Sequence, residues 1–213
     1  MDITVLCSSS SHPIWPRIVS WCDRKCEEGH RTSLVTQVAE VTRGDLLLLI
    51  SCSEIVRSPV RGRFGKVLVI HAADVPMGRG FAPLNWQIIE GKQEIVVTLM
   101  EAADKVDSGD VWAKRTMRFD GHELFEELFE TLFATELELM DFAVAEFATV
   151  LPKPQPPIEG SYYRRRGPED SRVQPANTLE QIFDLVRASD PNRYPVFFEY
   201  RGHRYTITLC KTA

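Results

Sequence analysis

A chain of 213 residues, 44% hydrophobic and 26% charged, carries enough apolar material for one α/β core plus a small appendage, without staples. Its formal charge of −5 argues against a broad nucleic-acid surface, because phosphate contacts supply non-specific affinity and need a basic face. No apolar stretch reaches the roughly 18–20 residues of a bilayer span, and Met1 to Leu6 lacks a charged leader and cleavage site, so a cytoplasmic location is expected. The five cysteines (Cys7, Cys22, Cys26, Cys52, Cys210) are odd in number and scattered, which suits reduced thiols. Cys22 and Cys26 stand one helical turn apart with no second pair, so no metal is expected.

In chain order, Ile3 to Cys7 reads as a first buried strand and Ser8 to His12 as the loop after it. No G-x-G-x-x-G follows, so a dinucleotide fingerprint is absent. Pro13 and Pro16 open a helix whose apolar face is Ile14, Ile18, Trp21, Cys22 and Cys26, ending at Gly29. Leu46 to Ile50 is a central strand by length and content, and Ser51, Cys52, Ser53 and Glu54 follow at its C-terminal end. Two readings of Ser51 to Ser53 stand: a plain polar loop, or a wall of an active site facing an acceptor. Arg57, Arg61 and Arg63 then form either a solvated connection or a phosphate contact.

Val67 to Ile70 reads as a buried parallel strand that delivers His71 at its C-terminal end, where open α/β sheets keep their sites. A glycine-bearing loop, Pro76 to Gly80, leads to a helix from about Pro83 and a strand from Glu94 to Leu99, closed by Val106-Asp-Ser-Gly-Asp110. A histidine and an aspartate thrown from two neighbouring strand ends can meet, and the carboxylate then orients the imidazole as a base. Trp112 and Phe119 flank a further strand, and Asp120-Gly-His-Glu123 has the pattern that opens a helix reaching about Phe147. His122 is read there as a cap or surface group. Leu151 to Pro157 is a stiff extended linker, followed by an Arg164–Arg166 cluster, a helix over Asn177 to Ala188, and a hairpin of Val196–Tyr200 and Arg204–Leu209. The expected division is residues 1–150, a linker at 151–160, and a small extension at 161–213. The arginine cluster, with Tyr162 and Tyr163, is read as either a solvated stretch or a phosphate lip with rings for stacking.

His71, Asp74-Val75-Pro76, Arg79-Gly80, Pro83-x-x-Trp86, Val97-Thr98 and Asp107-x-Gly109-Asp110 come in the order and spacing of one known pattern. By them the chain resembles the folate-dependent formyltransferases. With Asp74 and Glu101-Ala102 it is most similar to a short subgroup that formylates 4-amino sugars of the pseudaminic-acid type. The resemblance implies an α/β Rossmann-like formyltransferase domain with a central, mostly parallel sheet, plus a short C-terminal helix and β-hairpin extension. It implies 10-formyltetrahydrofolate as cosubstrate and no metal. His71 is then the base and Asp107 its carboxylate partner; Asp74, Val75, Pro76, Met77, Gly78 and Arg79 frame the folate with Val106, Ser108 and Gly109. Arg79 has a second reading, as a tie between its loop and a carboxylate.

Ser8, Ser9 and His12, by the same resemblance, face the acceptor, beside Ser51, Cys52 and Ser53. The family pattern has an asparagine two residues before the histidine, where this chain has Val69. The donor for a developing oxyanion is therefore left to protonated His71 or to a backbone N–H of the 72–76 loop. The implied partners are folate and a nucleotide-linked amino sugar, with a second copy of the chain as a further candidate. Neither a membrane nor tRNA is expected, the latter also because the C-terminal barrel of larger members is missing. Three alternatives stay open: formylation of an aminoacyl group on tRNA or a carrier, hydrolysis of the formyl donor, and folate binding without turnover.

Overall fold

Runs of consecutive apolar residues become the middle of the sheet, because both of its faces are covered there. In the computed structural model, which describes residues 1–212, the large strands are β1 (Asp2–Leu6), β2 (Arg31–Val35), β3 (Gly44–Leu49) and β4 (Phe64–His71). After the two-residue β5 (Arg79–Gly80) come β6 (Glu94–Glu101), β7 (Val111–Arg118), the short β8 (Tyr162–Tyr163), β9 (Val196–Tyr200) and β10 (His203–Ile207). The helices are α1 (Trp15–Glu27), α2 (Ser58–Arg61), α3 (Pro83–Ile89), α4 (Phe125–Ala145) and α5 (Leu179–Ala188). None of them is long and apolar enough to cross a membrane.

Six strands form one sheet in the order β2-β1-β3-β4-β6-β7. β1 to β4 are mutually parallel, whereas β6 runs antiparallel to β4 and to β7. Alternation divides the core into two clusters. Leu46, Leu48, Ile50, Leu68 and Ile70 share the larger cluster with Ile18 and Trp21 of α1 and Leu132, Leu139 and Met140 of α4. Leu47, Leu49 and Val67 belong to the smaller one with Val41 and Val56, and His71 has the same strand parity as Val67. Burial on both faces is why these strands read as unbroken apolar runs.

Two local expectations shift. β2 was not legible, since among its residues only Leu34 and Val35 are apolar and it lies at the sheet edge. Glu123 does not open α4; its carboxylate accepts the N–H groups of Asp120 and Gly121 at 2.7 and 3.0 Å. The helix starts two residues later, with Glu127 accepting the Leu124 N–H at 2.7 Å. His122 is exposed, 3.0 Å from the Lys211 ammonium. The Cys26 thiol faces the Thr32 hydroxyl at 3.1 Å, and burial pushes the Cys22 thiol up to about 11.

One polar group lies within the larger cluster. Glu136 of α4 is buried among the apolar side chains of that helix, its Oε2 has no hydrogen-bond partner, and burial pushes its carboxyl up to about 8. An unfolded chain releases that proton near the ordinary 4.5. Stability is therefore expected to fall as pH rises from about 4.5 to about 8, by at most ~1.4 kcal/mol per pH unit, and to level off above. Melting temperatures of the wild type and Glu136→Gln, compared across that range, should diverge in favour of the variant as pH rises. A difference that stays constant with pH would contradict this.

The C-terminal helix and hairpin enclose a third, small cluster of Val173, Ile182, Val186 and Val196. They are tied to the main sheet's helices by Asn85 of α3, whose side-chain amide donates to the Ala188 carbonyl at 2.6 Å.

Candidate active site

β4 ends on His71, whose side chain is 8% exposed. Its Nε2 lies 2.8 Å from the Gly78 carbonyl; a carbonyl only accepts, so Nε2 carries the proton of the neutral ring. Nδ1 lies 3.6 Å from Asp107 Oδ2, an ion-pair separation rather than a hydrogen bond. That same oxygen accepts the Gly80 N–H at 2.9 Å. The ring is thus held between the two loops that the sequence singles out, with an acceptor beside each nitrogen.

The route by which Asp107 gets there differs from the expectation. β6 is antiparallel to β4 and its last residue, Glu101, pairs with Leu68 partway along β4, so no neighbouring strand end presents the aspartate. The chain instead turns back through 102–110. Asp107 sits there at φ 50°, a left-handed conformation that few non-glycine residues adopt, so it must be held by its surroundings. Arg79 Nε donates to the Asp107 carbonyl at 2.9 Å, and Gln155 Nε2 donates to the carbonyls of Asp107 and Gly109, each at 2.9 Å. Gln155 Oε1 in turn accepts from Arg79 Nη2 at 2.6 Å. Arg79 therefore ties its loop to a backbone carbonyl and a carboxamide, and not to a carboxylate.

The 72–80 loop is braced from both sides. Gln87 Nε2 and Thr98 Oγ1 donate to the carbonyls of Ala72 and Ala73, each at 2.7 Å. Val75–Pro76 is a cis peptide. The Gly78 N–H donates to Ser161 Oγ at 2.8 Å, and β5 pairs in parallel with β8, so the start of the C-terminal extension lies on the loop. Gly160 fits where no side chain could: a Cβ there would stand 2.3 Å from the Pro76 carbonyl oxygen. Asp74 is exposed and ion-paired with Lys114 of β7. Val75, Pro76 and Gly78 are buried, whereas Met77 and Val106 leave 45% and 42% of their surfaces exposed, giving each loop an apolar tip. Ser108 Oγ donates to the Lys105 carbonyl at 2.7 Å.

Of the acceptor-side residues, three come together. Ser8 Oγ accepts the Ser53 N–H at 2.9 Å and lies 3.7 Å from Cys52 Sγ, joining the loops after β1 and β3. Ser9 turns to Ser11 at 2.8 Å, and Ser51 is exposed at φ 47°. His12 packs edge-on against Phe133 of α4 and accepts the Ile14 N–H at 3.3 Å. Burial, with Arg193 nearby, lowers it to about 4, so it is neutral at pH 7. Val69 packs into the smaller apolar cluster, as do Cys52 and Ala102, and supplies no donor. The Ala73 N–H is already bonded to the His71 carbonyl at 2.9 Å, which narrows the backbone candidates for an oxyanion contact.

The arginines are mostly structural. Arg61 binds the Val56 carbonyl and Asp104, and Arg63 the Val41 carbonyl. Arg164 is paired with Asp170, and the guanidinium groups of Arg164 and Arg166 lie over the Trp86 ring at 5.1 and 5.4 Å. Arg165 lies over the Phe81 ring at 5.6 Å, and both it and Arg164 are exposed to solvent. Two surface hollows of about 380 Å³ each, one on α5 and one between α1 and α4, include none of the predicted site residues in their linings.

Gln155, Gly160 and Ser161 were missed. They lie in and just after a proline-rich stretch that reads from sequence as a spacer, and nothing in its pattern says that it crosses the site.

A mostly parallel α/β sheet that carries a buried histidine at the end of a central strand, with an aspartate folded back onto it, defines the class. A family model described as formyl transferase matches residues 19–144, and the chain belongs to that family. It is 26% identical over 166 residues to the methionyl-tRNA formyltransferase of Streptococcus gordonii, an alignment covering 76% of this chain and 53% of that one. The chain thus spans about half the length of the curated relatives it matches. Among solved structures, methionyl-tRNA formyltransferase from Clostridium thermocellum superposes with a TM-score of 0.83 at 21% identity, over 100% of this chain and 94% of that one. A sugar N-formyltransferase from a Shewanella species superposes at 0.77 and 16% identity, over 100% and 98%. HypX from Aquifex aeolicus in complex with tetrahydrofolic acid does so at 0.78 and 24%, over 97% of this chain and 37% of that one.

Proposed function

We propose that this chain transfers a formyl group from 10-formyltetrahydrofolate to the primary amine of a nucleotide-linked amino sugar. The observation that carries the reading is the contact of His71 with Asp107 between two clamped loops with apolar tips, in a chain of the formyl transferase family. Folate supplies the activated formyl carbon and the nitrogen that leaves it. The chain's own part begins with the amine, which is protonated in neutral water and must lose a proton before it attacks. With Nε2–H directed at Gly78, the free lone pair is on Nδ1, on the Asp107 side. Taking the proton there places the charged ring next to the carboxylate. As the new C–N bond forms and the bond to the folate nitrogen breaks, that proton returns to the leaving nitrogen. Met77 and Val106 offer apolar contacts for a flat ligand, and Ser8, Cys52 and Ser53 line the acceptor side.

A sugar acceptor is supported over tRNA by the net charge of −5 and by the pairing of Arg61 and Arg164 with the carboxylates of Asp104 and Asp170. Methionyl-tRNA is the second reading, favoured by the names of the sequence relatives. The purified protein, given 10-formyltetrahydrofolate, should release tetrahydrofolate with a panel of nucleotide-linked amino sugars and not without an acceptor. Turnover on methionyl-tRNA alone would move the acceptor to the second reading. Formate release without an acceptor would make the chain a hydrolase, and folate binding with no turnover would make it a binding protein.

A further inference from the structure

We propose that Gln155 is a positioning residue: its carboxamide fixes the Asp107 loop and, through it, the carboxylate beside His71. The inference rests on the formyl-transfer reading and extends it to a residue outside both signature loops. Asp107 is held at φ 50°, and a conformation of that kind persists only where several contacts impose it. The two hydrogens of the Gln155 amide nitrogen are both used, on the carbonyls either side of Ser108, at 2.9 Å each. Its oxygen accepts from Arg79, which itself donates to the Asp107 carbonyl, so β5, the loop and the 151–157 stretch close into one ring of hydrogen bonds.

The anchor itself is stiff. Pro154 and Pro156 flank Gln155 and fix the backbone on either side, and Lys153 exchanges two backbone hydrogen bonds with Val111 of β7, at 2.7 and 2.9 Å. A primary carboxamide is the group this arrangement needs. Glutamate has the acceptor for Arg79 but no hydrogens for the two carbonyls, methionine has the length but neither function, and asparagine is one methylene short.

The test uses Gln155→Met and Gln155→Glu in the full chain, with Gln155→Asn should either fail to fold by thermal melt. Three readouts are taken: hydrogen exchange of the 102–110 segment, kcat and KM for the donor, and the same Met substitution in an Asp107→Asn background. Exchange in 102–110 should accelerate while the central strands stay protected. The kcat should fall about tenfold to hundredfold, as when a supporting partner of a reactive group is removed, with KM little changed. In the Asp107→Asn background the additional loss should be less than about twofold, since both changes act on one contact.

Unchanged exchange in the loop would overturn the proposal, as would a freed loop with normal kcat or an undiminished loss in the double variant. A wild-type protein that transfers no formyl group overturns the reading of function instead. The exchange measurement then decides by itself whether Gln155 holds the loop.

Discussion

His71→Ala is expected to lower kcat for formyl transfer by about 10²- to 10⁴-fold, the range a positioned general base contributes, while the melting transition shows that the sheet survives. The reason to expect survival is local: the side chain ends β4, its hydrogen-bonded partner is one loop carbonyl, Gly78, and the loop keeps its braces from Gln87, Thr98 and Ser161. Asp107→Asn should cost about 10²-fold or more, although the substitution keeps shape and can keep the Gly80 N–H contact, because only the charge that faces Nδ1 is lost. The double variant should be little worse than His71→Ala, since the carboxylate acts through the imidazole. Near-normal turnover in either single variant, on an acceptor the wild type uses, would remove these two residues from the reaction. A loss confined to KM would make them binding groups.

Much of this was legible because a buried strand advertises itself. Leu46 to Ile50 and Val67 to Ile70 are apolar on both faces, so their position in the sheet and the placement of His71 at a strand end follow from content alone. The helix expected over Asn177 to Ala188 is observed as α5, entered through Thr178, whose side chain accepts the Gln181 N–H. Strand direction was not legible: nothing in Glu94 to Leu99 distinguishes a parallel from an antiparallel neighbour, and the choice changes how Asp107 reaches the histidine. The resemblance named the aspartate without giving its path. Gln155 was hidden for a different reason. Its effect depends on a stiff segment crossing a loop almost fifty residues earlier in the chain, and proline content signals stiffness but not destination. For the arginines the sequence left two readings, solvated or phosphate-binding, since a run of like charge says nothing about the carboxylates and rings that meet Arg61, Arg164 and Arg166 in the fold.

Gly109→Ala should be the most damaging single methyl in the site. A Cβ at this position would stand 1.8 Å from the Glu101 carbonyl oxygen and 2.6 Å from its carbon, and backbone cannot yield as the end of a long side chain does. The chain must move off Glu101, which breaks the Glu101 N–H contact to the Asp110 carbonyl (2.9 Å) and displaces the Gly109 carbonyl from Gln155. Overpacking of this kind costs about 2–3 kcal/mol, so a fall in melting temperature of roughly 5–10 °C is expected. Turnover should fall by about 10²-fold or more, because a 1 Å misplacement of a reactive group suffices for that.

Gly91→Ala is the control: Gly91 has φ +79° but nothing within 4 Å of its Cβ position, so it carries only the conformational cost of about 1–2 kcal/mol. It lies in the turn after α3, away from both loops, and should keep wild-type kcat. If Gly109→Ala instead behaves like Gly91→Ala in both melting and turnover, the loop has absorbed the displacement. The clamp by Arg79 and Gln155 could not then be what sets the distance between Asp107 and His71.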